Sequence, residues 1–252
     1  MDFKVELRAN AEVDPRILGL VWAGSAAETS RFDEWSDFDF FLIVDDDFAE
    51  PMRQELTWLP SHAEISFWAR ETAHGLKVVY NDGTILEFAV FTLDELSAAA
   101  VNHYAVDYDS ADVARRTAAI KAPGERASHE SLDDHLAIIY TLLMIAIGRS
   151  RRGEKLIAGQ FIRSYAPLHI IRAVKKTMKS HAPEKRDVLD AWRRFEWEYP
   201  EIGARLNAAA ALDVEASGWA IADLTAELFG EDSPIPARGV AILETRFGRS
   251  AH

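Results

Sequence analysis

Three carboxylates in the first part of the chain have the types and spacing that could bind a cation. Asp37 and Asp39 are separated by one residue and lead into an apolar run at residues 40–44, while Glu87 is a single acid within a second apolar run, residues 84–91. Side chains alternate along a strand, so Asp37 and Asp39 share one face of the first strand. Should the two strands be neighbours, the three carboxylates converge, and converging carboxylates need a cation.

A Gly-Ser turn precedes these acids. An apolar, strand-like segment at residues 17–23 ends at Gly24 and Ser25, and Ser36 follows after ten intervening residues, directly before Asp37. Glycine allows the backbone to approach a ligand with no Cβ atom in the way. A strand, a Gly-Ser turn, an Asp-x-Asp pair and another apolar strand together form a more specific pattern than the two aspartates alone.

The Asp-x-Asp pattern also occurs elsewhere in this chain, at Asp45 and Asp47 and again at Asp107 and Asp109. Neither of these pairs has a Gly-Ser turn before it or a long apolar strand after it. We interpret both as solvated turn residues. An alternative of the same kind applies to Glu87, which could be an acid on the exposed face of an edge strand.

The elements that must position the acids are typical of a mixed α/β domain. An Asn-Asp-Gly turn between two β-rich runs predicts a hairpin. Pro51 lies where a helix can begin, and Pro60 lies where it must have ended. The predicted strands cover residues 14–23, 38–44, 63–69, 76–80 and 84–91, and the predicted helix covers residues 52–58.

Beyond a loop-like composition at residues 121–126 the strand signals disappear. We therefore predict two domains, residues 1–122 and residues 123–252. Apolar residues at helical spacing predict helices at residues 132–147, 157–171, 188–199 and 214–228. Ser131 can cap the first of these helices, and Pro167 should kink or split the second. The second domain is predicted to be a helical bundle, with an irregular tail from Ser233.

The composition narrows the classes of function. The chain has 252 residues, 41 acidic against 28 basic, a formal charge of −13, and no cysteine. This charge opposes binding to nucleic acid or to an anionic membrane, and the lack of cysteine excludes disulfides and thiolate metal sites. The N-terminus has no signal-peptide pattern, and the longest apolar run, residues 136–147, is too short to span a bilayer. We expect a cytoplasmic protein.

The motif of Gly24-Ser25, Asp37 and Asp39, followed by a strand that carries Glu87, resembles the nucleotidyltransferase superfamily with its polymerase-β-like fold. It is most similar to the aminoglycoside and lincosamide nucleotidyltransferases, which join such a domain to a helical bundle. The resemblance implies an α+β fold and Mg²⁺-dependent transfer of AMP from ATP to a hydroxyl group of a small molecule, an aminoglycoside-type antibiotic being the best single expectation.

The resemblance also implies roles for individual residues. Asp37 and Asp39 would bind Mg²⁺, and Glu87 would either complete the metal site or act as general base on the acceptor hydroxyl. The phosphates of ATP would be held by Gly24, Ser25 and Ser36.

Two further groups of residues belong to the predicted helical domain. Arg152 and Lys155 could meet the triphosphate, although a solvated helix end is the simpler account of them. Glu196 and Glu198 are candidate contacts for a cationic, sugar-like acceptor, because carboxylates attract ammonium groups.

Three alternatives stay open. The chain could be a protein-modifying nucleotidyltransferase of a toxin–antitoxin pair, or a non-catalytic nucleotide-binding module. Arg163 and His169 match the loose spacing found in helical ribonuclease toxins, but Pro167 interrupts that helix and the acidic charge argues against RNA. The expected partners are a nucleoside triphosphate and a small hydroxyl acceptor, with no nucleic acid or membrane, and the protein is expected to be a monomer or a homodimer.

Overall fold

The computed structural model describes residues 3–28, 32–33, 35–101, 103–120, 131–187 and 189–249. The chain divides into two compact units, Met1–Gly124 and Glu125–His252. The predicted domain boundary between residues 122 and 123 lies outside the described residues. Within the described part of the chain, no helix is both long enough and apolar enough to cross a membrane.

The first unit contains a mixed sheet of six strands in its described residues, in the order β3-β4-β5-β2-β1-β6. Strands β2 and β5 are parallel, and the other neighbouring pairs are antiparallel. The predicted mixed sheet is therefore confirmed. The strands are β1 (Ile17–Ala23), β2 (Phe38–Val44), β3 (Ile65–Arg70), β4 (Gly75–Tyr80), β5 (Ile85–Phe91) and β6 (Tyr104–Asp109).

The two faces of this sheet are packed differently. Helices α1 (Phe3–Val13) and α2 (Ala49–Gln54) contribute to an extensive core on one face, where aromatic and β-branched residues fill the pleated surface. The other face has a smaller core, to which Val113 of α3 (Val113–Ala118) contributes. Side chains alternate along a strand, and Ile43 of β2 and Ala89 of β5 belong to the core of this second face. Asp39 and Glu87, an even number of residues away on the same strands, therefore point to this face too.

Strand β6 was not predicted, and the interpretation of Asp107 as a solvated turn residue is wrong, whereas Asp109 is exposed at the end of β6 and binds the turn that follows it. Asp107 lies within β6, and its Oδ2 atom accepts a hydrogen bond of 2.9 Å from Nε1 of Trp22. Asp109 accepts hydrogen bonds from the backbone N–H groups of Val113 and Ala114, at 2.8 and 2.9 Å. Both aspartates therefore stabilise the edge of the sheet.

The second unit is helical in its described residues, as predicted. Ser131 and Asp134 form a reciprocal capping box at the start of its first helix, α4. Helices α4, α5 and α6, with a π-helical turn (Phe161–Tyr165) between the last two, contribute side chains to one core together with α9 and α10. The helices are α4 (Leu132–Arg151), α5 (Lys155–Gln160), α6 (Ala166–Thr177), α7 (Phe195–Glu198), α8 (Pro200–Ala210), α9 (Val214–Phe229) and α10 (Ile235–Phe247).

Prolines lie at several places where the observed helices differ from the predicted ones. The π-helical turn (Phe161–Tyr165) interrupts the regular α-helix shortly before Pro167, where the sequence predicts a kink or split, although the backbone stays helical from α5 through α6. Pro200 begins α8, and Pro236 lies in the first turn of α10, so the prediction of an irregular tail from Ser233 is wrong. Proline is tolerated in a first helical turn, where its missing N–H has no intrahelical partner.

The predicted helix at residues 188–199 is also wrong over most of its length. Only α7 (Phe195–Glu198) is helical there, and Val188 lies outside the described residues. Trp192 is 37% exposed, so the spacing of apolar residues in this segment does not reflect one continuous buried helical face.

Candidate metal and phosphate site

The three predicted carboxylates lie together in the structure. Asp39 of β2 stands opposite Glu87 of β5 in the parallel register, and Asp37 lies directly before β2. One oxygen from each of the three carboxylates lies within 4.8 Å of an oxygen from each of the others, and all three residues are half-buried. The alternation of side chains along two neighbouring strands brings them to the same place, as the sequence predicts.

Glu87 belongs to a central strand. Strand β5 lies between β4 and β2, so the alternative of an acid on an edge strand does not apply. The neighbouring residues Leu86 and Phe88 are buried in the core of the opposite face. Glu87 is thereby directed to the face that also carries Asp39.

Among the described residues, Lys77 of β4 is the basic residue that pairs with Glu87. The two residues stand opposite each other in the antiparallel register, and 3.5 Å separates Lys77 Nζ from Glu87 Oε2. The same ammonium lies 3.2 Å from Oε1 of Glu71. The sequence analysis did not single out Lys77, although counting outward from the turn at Asp82 places residues 77 and 87 opposite each other.

Gly24 holds the end of β1 against the carboxylates. Its φ angle is +54°, and a Cβ atom on it would lie 2.5 Å from Oδ2 of Asp39. Its backbone N–H donates a hydrogen bond of 3.1 Å to the carbonyl oxygen of His103. Glycine is therefore required here by the close approach of Asp39, and its N–H is already used within the protein.

The two predicted phosphate-binding serines differ in their surroundings. Ser25 follows Gly24 in a short 3₁₀ turn (Gly24–Ala27) and is partly exposed. The hydroxyl of Ser36 donates a hydrogen bond of 2.9 Å to Asp33 Oδ1 and accepts one of 3.1 Å from the backbone N–H of Asp33. Ser36 thus stabilises the turn that delivers Asp37 to the start of β2.

The other predicted site residues belong to the second unit. Arg152 follows the last residue of α4 and donates a hydrogen bond of 3.0 Å from Nε to Oε1 of Glu154. Lys155 is the first residue of α5. Glu196 is exposed on the short helix α7.

Glu198 does not have the surroundings of a substrate contact. Its side chain is 0% exposed, with Oε1 lying 3.1 Å from Lys175 Nζ and Oε2 lying 2.8 Å from Arg186 Nε. Burial raises the pKa of Glu198, but hydrogen bonds and charges from Arg186 and Lys175 outweigh it and lower the pKa overall. A carboxylate with no exposed surface does not meet a ligand, and Glu198 stabilises the helical unit instead.

The donor set of the carboxylate cluster fits a hard divalent cation. Asp37, Asp39 and Glu87 offer oxygen ligands alone, and the chain has no cysteine that could supply sulfur. Carboxylate oxygens suit Mg²⁺, Mn²⁺ and Ca²⁺, whereas nitrogen and sulfur ligands favour softer metals. These three side chains could therefore hold Mg²⁺.

Comparisons with known proteins give likenesses in structure but not in sequence. No protein-family model matches the chain, and no curated protein matches it either. An aminoglycoside 6-adenyltransferase from Bacillus subtilis is similar over 94% of this chain and 90% of its own, with 14% identity and a TM-score of 0.36. A nucleotidyltransferase-like protein from Exiguobacterium sibiricum is similar over 98% of this chain and 79% of its own, with 11% identity and a TM-score of 0.32.

At these identities and TM-scores the likeness carries no argument about activity. The case for a function therefore depends on the residues of the site.

Proposed function

We propose that this protein is a Mg²⁺-dependent nucleotidyltransferase that transfers AMP from ATP to a hydroxyl group of a small molecule. The observation that supports this proposal is the cluster of Asp37, Asp39 and Glu87 oxygens within 4.8 Å of one another, bordered by the glycine turn at Gly24. Clustered carboxylates repel one another without a cation. A carboxylate cluster beside a turn that resembles a phosphate-binding motif suits a metal ion that binds the phosphates of a nucleotide.

In this proposal Asp37 and Asp39 hold the cation, and Glu87 either completes its ligands or takes the proton from the acceptor hydroxyl. A bound Mg²⁺ would neutralise phosphate charge and help to orient the reacting phosphorus. Gly24 keeps the end of β1 close to Asp39, and Ser25 offers a hydroxyl to the phosphates.

The roles of the remaining binding residues are proposed in the same way. Ser36 would act through the turn that it stabilises before Asp37. Arg152 and Lys155 would contribute positive charge to phosphate binding, and Glu196, which is exposed, would attract a cationic acceptor.

We propose an aminoglycoside-type antibiotic as the acceptor, and the cytoplasm as the compartment, where ATP is supplied. The formal charge of −13 favours cationic over anionic ligands. Growth of a susceptible host that expresses the chain, compared across a panel of antibiotics with a host that expresses Asp39→Asn, would name the acceptor class.

Release of pyrophosphate from ATP tests the reaction directly. Wild-type protein with Mg²⁺ and a panel of aminoglycosides should release pyrophosphate, and Asp39→Asn should release none above the level of buffer while keeping its far-ultraviolet circular dichroism. Full activity in Asp39→Asn would refute the assignment of the carboxylates to catalysis. Asp47→Asn is the matched control, since Asp47 is exposed in another Asp-x-Asp pair.

A further inference from the structure

One row of charged side chains crosses three neighbouring strands on a single face of the sheet. Lys77 of β4 stands opposite Glu87 of β5, and Glu87 stands opposite Asp39 of β2. Residues that pair directly across strands point to the same face. The row therefore places an ammonium group beside the carboxylates that could hold a divalent cation.

The ammonium of Lys77 is shared between two acids. It lies 3.2 Å from Glu71 Oε1 and 3.5 Å from Glu87 Oε2. Side-chain exposures of 45% for Lys77, 53% for Glu71 and 44% for Glu87 leave all three groups in contact with solvent. A lysine head group on its flexible stem can change partner at low cost in this setting.

A divalent cation and the Lys77 ammonium are attracted by the same Glu87 oxygens and repel each other. We propose that Lys77 is a positioning residue that competes with the divalent cation for Glu87, and that Glu71 holds Lys77 when Glu87 turns to the cation. This inference rests on the metal site of the proposed function. It assigns a role to two residues, Lys77 and Glu71, that the nucleotidyltransferase motif does not include.

The competition predicts opposite effects for two substitutions, measured as Mn²⁺ affinity by titration calorimetry without nucleotide at low ionic strength. Lys77→Gln should bind Mn²⁺ roughly threefold to tenfold more tightly than wild type, because the competing charge is gone. Glu71→Gln should bind it roughly twofold to fivefold more weakly, because Lys77 is left with Glu87 alone. Lys77→Arg keeps the charge and should stay within about twofold of wild type.

A matched control distinguishes local competition for Glu87 from the electrostatic effect of the protein's overall charge. Arg115→Gln removes the same charge from an exposed side chain of α3, which follows β6 at the opposite edge of the sheet, and it should leave Mn²⁺ affinity unchanged. Added salt should reduce the gain in Mn²⁺ affinity of Lys77→Gln, since exposed charges are screened. Thermal unfolding of each variant shows that the fold is kept.

The proposal is overturned if Lys77→Gln binds Mn²⁺ no more tightly than wild type, if Arg115→Gln gains as much, or if wild-type protein binds no Mn²⁺. Its failure is distinguishable from that of the proposed function. Wild-type protein that binds Mn²⁺ and shows the Lys77 effect, but releases no pyrophosphate, refutes the function alone. Pyrophosphate release together with an unchanged Lys77→Gln affinity refutes the competition alone.

Discussion

Gly24 leaves no room for a methyl group beside Asp39: a Cβ atom at this position would lie 2.5 Å from Asp39 Oδ2, and the φ angle is +54°. Two separate constraints thus require glycine here. One is the left-handed backbone, which L-residues adopt at a cost of about 1–2 kcal/mol. The other is contact with a carboxylate of the candidate metal site.

We therefore predict that Gly24→Ala moves Asp39 and weakens the site. The free energy of unfolding should fall by about 1–2 kcal/mol from the backbone alone, and pyrophosphate release and Mn²⁺ binding should be lost or strongly reduced. Urea unfolding measures the first effect, and calorimetry with a pyrophosphate assay measures the others.

Gly83→Ala is the matched control for this prediction. Gly83 has a φ angle of +87°, but nothing lies within 4 Å of its would-be Cβ atom. It should lose a similar amount of stability and keep Mn²⁺ affinity. Equal Mn²⁺ affinities in the two variants would show that contact with Asp39 does not matter.

The face of each carboxylate could be predicted from the sequence because it depends on local rules, whereas the parallel pairing of β2 with β5 that joins them is a tertiary contact. Strand alternation fixes the face of Asp39 and Glu87, and the Asn-Asp-Gly turn fixes the hairpin that carries Glu87. The close approach of Gly24 to Asp39 is a tertiary contact between β1 and β2, which no local pattern contains. From the sequence, Gly24 was expected to let the backbone approach a phosphate. In the structure, the group that a Cβ atom at Gly24 would meet first is the Asp39 carboxylate.

Glu87→Gln distinguishes a metal ligand from a general base. Because its carboxylate oxygens lie with those of Asp37 and Asp39, we expect the substitution to weaken Mn²⁺ binding by about tenfold or more, together with a loss of turnover. Titration calorimetry and a pyrophosphate assay measure the two effects. Unchanged Mn²⁺ and ATP binding with lost turnover would instead assign Glu87 to proton transfer from the acceptor.

The helical unit was predicted less well, for a physical reason. Apolar spacing identifies long helices such as α4 and α9, but it does not reveal which acids are buried by ion pairs. Glu196 and Glu198 are two residues apart and equivalent in sequence, yet the first is exposed and the second is fully buried. Of its two basic partners, Arg186 lies 12 residues from Glu198 along the chain and Lys175 lies on another helix, α6, so helical spacing does not connect them.

Substitution of these two acids should therefore separate stability from surface chemistry. Glu198→Gln should lower the free energy of unfolding by about 3–5 kcal/mol near neutral pH, because it leaves Lys175 and Arg186 without their buried counter-charge. Glu196→Gln should change it by less than about 0.5 kcal/mol. Urea unfolding followed by circular dichroism measures both, and equal stabilities for the two variants would contradict the role assigned to Glu198.

The stability that Glu198 contributes should depend on pH in a defined direction. Burial raises its pKa, but hydrogen bonds and charges from Arg186 and Lys175 lower it overall from its usual value of 4.5. A group whose pKa is lower in the folded state stabilises the fold above its unfolded pKa, and this contribution is lost as the pH falls through the folded value. The difference in unfolding free energy between wild type and Glu198→Gln should therefore be constant above about pH 5 and shrink below it. A difference that grows on acidification would show that the carboxylate is not held ionised by its two basic partners.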